Sequence, residues 1–261
     1  MKISIYQIDA FASRLFEGNP AAVCPLAQWL PDGAMQSIAA ENNLSETAFF
    51  VPEGTGFHIR WFTPASEVDL CGHATLASAY VLFNILGHDQ NEVIFRSKSG
   101  RLPVIRKKGW LVMDLPLQTP VSCETPEAIS AAFGQKPMEC LRGEDYIVVL
   151  ADEGDIQSAN PDISRLLELD LRGVIITSRS NHFDFVSRVF APKYGIPEDP
   201  VTGSAYTQLA PYWAAKMEKN RFHAKQLSQR GGELHCEIVG DRVLIYGKAV
   251  KYLEGEIVID L

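Results

Sequence analysis

Arg60-Trp61-Phe62-Thr63-Pro64 returns further along the chain as Arg188-Val189-Phe190-Ala191-Pro192. Gly72-His73-Ala74 follows the first copy and opens an Ala-rich run; Gly203-Ser204-Ala205 follows the second and opens another. An arginine, an aromatic and a proline at one spacing, each time ahead of a glycine-led helix start, read as two copies of one strand–turn–helix unit. The alternative is two unrelated strand ends. Duplication predicts two similar halves with their helices in equivalent places.

Around the first copy, Ile3–Asp9, Ala21–Cys24, Ala48–Val51 and His58–Phe62 are rich in β-branched and aromatic residues and separated by Gly, Pro and Asn, which predicts strands. Between the second and third, Met35, Ile38 and Ala39 form an apolar stripe at helical spacing, with Asp32 as the expected N-cap and Asn42-Asn43 as the exit. The run Ala74–Leu86 is apolar nearly all round, the pattern of a buried helix, with Gly87 placed as its C-cap. Val93–Arg96, Leu102–Lys107 and Trp110–Leu115 read as further strands. Pro116 to Pro126 carries three prolines without periodicity, so the boundary falls there, dividing the chain into residues 1–117 and 118–261 with terminal strands free to cross over. In the second half, strands are expected at Ile147–Leu150, Gly173–Ser178 and Phe183–Phe190. A helix follows from about Ser204, kinked by Pro211, and then two strands over 243–261.

The 261 residues, 46% hydrophobic and 21% charged, have the composition of a folded globular chain. The net charge is −8, and the longest basic run is Arg106-Lys107-Lys108. Nucleic acid and anionic membrane are therefore excluded as expected partners. Ala74–Leu86, interrupted by Thr75, Ser78 and Asn84, is too short to span a bilayer, and the first residues alternate like a strand and not like a secretion signal. A cytoplasmic protein is expected. Five cysteines without a Cys-x-x-Cys pair fit neither a disulfide framework nor a zinc site, so reduced thiols are the default.

Each repeat begins a helix with Gly and a small or polar residue, which aims backbone N–H groups and the positive helix end at one point. Two such starts facing a cleft would hold a carboxylate or an enolate-like charge. No G-x-G-x-x-G, P-loop or H-E-x-x-H occurs, so no cofactor and no metal is expected. The polar residues beside the turns are the acid–base candidates. Glu46 precedes Thr47-Ala48-Phe49-Phe50-Val51, and a carboxyl at the mouth of an apolar strand is a desolvated acid or base; the blander reading is a solvated edge residue. His73 is either a packed histidine or a proton donor. Asp199 before Pro200 also suits a plain turn, and Ser204 a plain helix start. Cys71 lies two positions from His73, and residues so spaced on one turn rarely meet as nucleophile and base, so it is set aside.

Ile8-Asp9-Ala10-Phe11, Gly18-Asn19-Pro20-Ala21-Ala22-Val23, Leu44-Ser45-Glu46-Thr47-Ala48-Phe49, Arg60 to Pro64, Cys71-Gly72-His73-Ala74-Thr75 and Asp199-Pro200-Val201-Thr202-Gly203-Ser204-Ala205 together resemble the phenazine-biosynthesis PhzF-like family. The resemblance implies an α+β, diaminopimelate epimerase-like fold: two pseudo-symmetric domains, each a β-barrel-like sheet around a central helix, with the site in the cleft. It implies Glu46 as general acid/base, His73, Asp199 and Ser204 as the other catalytic polar residues, and Gly72, Ala74, Gly203 and Asn19 as substrate-binding. It also implies a homodimer. Diaminopimelate epimerase works with two cysteines, whereas the second motif here, Pro200-Val201-Thr202-Gly203, has none. The expected activity is therefore a cofactor-independent isomerase that moves a proton between carbons of a small carboxylate-bearing metabolite with one carboxyl group. The rivals are a two-base epimerase or racemase with Asp199 as second base, and a small-molecule binding protein without catalysis.

Overall fold

The alternation of apolar and polar residues along the chain becomes alternating burial along strands in this computed structural model, which describes residues 1–260. One unit comprises Met1–Asp114 and the chain from Tyr246 onward; the other is Leu115–Ile245. The first contains β1 (Lys2–Ala10), β2 (Asn19–Pro25), α1 (Asp32–Asn42), β3 (Glu46–Glu53), β4 (Gly56–Phe62), β5 (Glu67–Val68), α2 (Gly72–Asn84), β6 (Glu92–Ser97), β7 (Gly100–Lys107) and most of β8 (Trp110–Pro116). β1 and β2 are antiparallel, β2 and β3 run parallel across α1, and β3 and β4 are antiparallel. β4 then pairs antiparallel with β5 and parallel with β6, which turns back into β7.

The second unit repeats that arrangement. Its elements are β9 (Val121–Ser122), α3 (Glu127–Phe133), β10 (Glu139–Arg142), β11 (Tyr146–Val149), α4 (Glu153–Ser158), α5 (Ile163–Leu166), β12 (Val174–Arg179), β13 (Phe185–Ala191), β14 (Ile196–Asp199), α6 (Tyr206–Met217), β15 (Arg221–Gln226), β16 (Gly232–Val239) and β17 (Arg242–Gly247). β10 and β11 are antiparallel, β11 and β12 run parallel across two short helices, and β12 and β13 are antiparallel. β13 pairs antiparallel with β14 and parallel with β15, which turns back into β16. β18 (Ala249–Val258) belongs to the first unit, antiparallel to β1 from Lys2 opposite Val258 to Ala10 opposite Ala249, with an irregularity between Gln7 and Ile8.

The duplicated Arg-x-Phe-x-Pro motif does the same job twice. In the first unit the Arg60 guanidinium forks onto Glu67, Nε to Oε1 at 2.8 Å and Nη2 to Oε2 at 2.9 Å, while lying 5.1 Å from the Phe62 ring centre. In the second, Arg188 forks onto Glu198 at 2.7 and 2.9 Å and lies 5.2 Å from Phe190. A planar guanidinium matches a carboxylate edge with two parallel hydrogen bonds, so each pair clamps a strand to the short strand that leads to a helix start.

α2 explains its own uniform hydrophobicity. It packs against β1, β2, β3, β7 and β18, and Ala74, Ala77 and Ala79 are fully buried. The helix stops at Asn84, short of the expected Leu86. The Leu86 N–H bonds the Val81 carbonyl, the His88 N–H bonds that of Leu82, and Gly87 takes the turn at φ +71°. Two further expectations change. Pro31, not Asp32, is the residue at the N-cap of α1, and the Asp32 carboxylate accepts from Arg60 Nη1 at 2.8 Å instead of capping. Gly203–Ala205 is a 3₁₀ turn, so α6 starts at Tyr206 and not at Ser204. Pro211 lies inside α6, and the Thr207 carbonyl deprived of its i+4 donor accepts the Gln118 N–H at 3.1 Å, so the helix continues to Met217. Among the described residues no helix is long and apolar enough to cross a membrane.

Candidate active site

The first unit gathers Glu46, His73, Cys71 and Asn19. Glu46 is the first residue of β3, opposite Ala21 of β2, and is 8% exposed. His73 is the second residue of α2 and also buried. His73 Nε2 lies 3.2 Å from Glu46 Oε2, off the line of an ideal hydrogen bond. At the other ring nitrogen, Nδ1, the Asn19 side-chain Nδ2 stands at 3.2 Å and Cys71 Sγ at 3.5 Å. Cys71 and His73 therefore do meet, contrary to expectation. Cys71 is extended at φ −143° as the N-cap residue, which swings its side chain alongside the first turn of the helix.

These contacts fix the state of the ring. An amide NH₂ only donates, so Asn19 makes Nδ1 an acceptor and leaves the ring proton on Nε2, facing the carboxylate. Burial holds the imidazole neutral, its pKa lowered to about 3. His73 is thus a neutral donor directed at Glu46. Asn19 itself is placed by Gly18, whose φ is +70° and whose missing Cβ would lie 2.1 Å from the Ala10 carbonyl oxygen. Only glycine makes that turn, so Gly18-Asn19 acts as one device.

Glu46, Cys71 and His73 each offer a ligand atom, all within 4.8 Å of one another. The donor set is one zinc accepts. In the structure the carboxylate stands at one ring nitrogen and the thiol at the other. The arrangement is a chain from carboxylate through imidazole to thiol.

Backbone groups complete this side. The first amide of α2 to bond within the helix is that of Thr75, to the Cys71 carbonyl at 3.1 Å, which leaves the Gly72, His73 and Ala74 amides ahead of the ladder. Gly72 is half-buried. Ala74 is fully buried, so only its backbone is available to a ligand.

The second unit holds Asp199 and Ser204 on either side of one turn. Asp199, 9% exposed at the end of β14, accepts through Oδ2 from the Thr202 hydroxyl. Fully buried Gln226 ties both ends of this turn, donating to the Asp199 carbonyl at 2.6 Å and accepting from the Thr202 N–H at 3.0 Å. Gly203 is buried, and Ser204 Oγ accepts from Arg172 Nη2 at 3.2 Å. Arg172 is itself held by Asp145 at 2.7 and 2.8 Å, and Gln208 of α6 donates to the same carboxylate at 3.0 Å. Arg172, Asp145, Gln208 and Gln226 were invisible to sequence reasoning because no spacing connects them. The one signal was Gln208 itself, a polar residue set directly before the apolar Leu209-Ala210 of α6.

This geometry agrees with what the chain is similar to. The sequence pattern of the PhzC-PhzF family, described as phenazine biosynthesis-like protein, matches residues 8–255. An uncharacterized isomerase of Pseudomonas aeruginosa is 51% identical over 98% of this chain and 98% of its own. The crystal structure of a PhzF family protein from Enterococcus faecalis superposes with a TM-score of 0.96 at 46% identity, covering 99% of this chain and 100% of that one. A hydroxyproline epimerase from Agrobacterium vitis shares the fold alone, with a TM-score of 0.62 at 9% identity over 98% and 92% of the two chains. With its motifs, its repeated α+β epimerase-like unit and these matches in hand, the chain belongs to the phenazine biosynthesis-like PhzF family.

Proposed function

We propose that the protein is an isomerase in which the Glu46 carboxylate removes a proton from one carbon of a small carboxylate-bearing metabolite and returns it to another. The observation that carries this reading is the buried Glu46 carboxylate facing a neutral imidazole at 3.2 Å. A carboxylate shielded from water beside a neutral imidazole is a base whose surroundings are set before substrate arrives. His73 holds Glu46 and does not compete for its proton, since its own protonated form is suppressed by burial. The free amides at the start of α2 suit a substrate carboxylate or the charge that develops beside it. Isomerase chemistry also agrees with the name of the relative that is 51% identical. No step requires a cofactor.

The test is proton exchange. Small unsaturated and chiral carboxylic acids are incubated with the protein in D₂O, and deuterium incorporation and product formation are followed by mass spectrometry. Glu46→Gln preserves shape and removes the base, so it lowers turnover by ~10²–10⁴-fold while ligand binding persists. Wild-type rates in Glu46→Gln overturn the proposal. Asp199→Asn separates the two-base epimerase: exchange lost on one face only favours it, whereas weaker binding with isomerisation retained favours the single carboxyl. A ligand that binds and never exchanges identifies a binding protein.

A further inference from the structure

Cys123 and Cys140 stand outside the chemistry described so far. β9 and β10 are antiparallel, with Val121 opposite Arg142 and Ser122 opposite Leu141, so the next pair in register is Cys123 opposite Cys140. The Cys123 N–H donates to the Cys140 carbonyl at 3.0 Å, and the two sulfurs are 3.7 Å apart. Directly opposed residues on adjacent strands have Cα atoms ~5.5 Å apart when hydrogen-bonded, within the span a disulfide bridges. The pair also differs in access: among the five cysteines, only Cys123 is not buried. Cys140 sits in the core cluster with Ile129, Tyr146 and Val148, and burial pushes its thiol up to about 12. Cys123 is therefore the sulfur that a reagent meets first.

We propose that Cys123 and Cys140 form a modification site at which a low-molecular-weight disulfide of the glutathione class converts the two thiols into an intramolecular disulfide. The Cys123 thiol loses its proton and its sulfur attacks the small disulfide, breaking the S–S bond and releasing one small thiol, which carries a proton away. Cys140 then loses its proton to the medium, attacks Cys123 Sγ, and displaces the second small thiol. Two protein thiols are oxidised and one small disulfide is reduced to two thiols. The bond closes a ring around α3.

The folded, reduced protein is exposed to oxidised glutathione, and its intact mass and peptide map are recorded. The expected product lacks two hydrogens, carries no adduct, and yields a Cys123–Cys140 cross-linked peptide. Cys140→Ser stops at a stable glutathione adduct on Cys123, and Cys123→Ser remains unmodified. A wild-type product that stays as the Cys123 adduct, a cross-link involving another cysteine, or no modification of the wild type overturns the proposal. These outcomes are read on the wild-type chain, so they hold even if a variant folds poorly.

Discussion

At the residue scale, the buried ring of His73 ties the site to stability. Unfolded, an imidazole binds a proton near pH 6.5; folded, His73 does so only near 3. Between those values the unfolded state holds the extra proton, so stability is full above about 6.5 and declines as pH falls, by at most about 1.4 kcal/mol per pH unit from this group. Urea unfolding from neutral pH down to about pH 5 should show this slope in the wild type and a shallower one in His73→Gln. Equal slopes would remove His73 as its source. Gly18→Ala, which forces a Cβ onto the Ala10 carbonyl, should displace Asn19 and reduce turnover as well as stability. Glu46 and His73 were legible in the sequence because each follows a turn and opens an apolar element. Asn19 was legible only as part of a motif; its contact with Nδ1 required two segments to meet in space. Cys71 reaches the His73 ring because it is extended, whereas the spacing rule for residues two apart on a turn assumes helical backbone.

At the scale of elements, the repeated motif was readable because its function is local: a strand, a short return and an Arg–Glu clamp within a few residues. The clamps are partly buried, with side-chain exposures of 15% and 19% for Arg60 and Glu67 and 12% and 26% for Arg188 and Glu198. Removing Arg188 leaves Glu198 without its guanidinium, whereas Glu67 without Arg60 keeps Lys98 Nζ at 2.9 Å. Arg60→Met and Arg188→Met should each destabilise the fold by roughly 2–4 kcal/mol, Arg60→Met at the lower end of the range, with Glu67→Gln and Glu198→Gln following in the same order. Chemical denaturation measures this, and an Arg188→Met variant as stable as wild type would refute the equivalence of the two clamps. Short elements escaped the sequence reading for the opposite reason. β5, β9, α4 and α5 are too brief to show a period, whereas β15 and β16 do alternate, with Phe222, Ala224, Leu234 and Cys236 buried between polar neighbours, and were there to be read.

At the scale of the molecule, the first unit is discontinuous. β18 lies along the whole of β1, and beyond it the Ile259 N–H reaches the Met1 carbonyl at 3.0 Å. Deleting residues from Ala249 onward strips β1 of one ladder and removes Ile257 and Ile259 from the core cluster that holds Ile3. The shortened chain should aggregate through that open edge, and light scattering during expression or refolding tests it. A truncated chain as soluble and stable as the full one would show that β18 is dispensable. Sequence alone suggested strands near the end of the chain but not their partner, because pairing across nearly the whole length leaves no local trace.

The same closure sets a timetable on the ribosome. β1 leaves the exit tunnel before its partner β18, with the entire second unit made in between. At ~5–20 residues per second, the interval is on the order of ten to fifty seconds. At its close the second unit holds every one of its residues, whereas the unit that contains Glu46 and His73 is complete only once β18 has followed. Newborn chains should therefore acquire protease resistance from the centre outward, and the proposed catalytic pair should be assembled last.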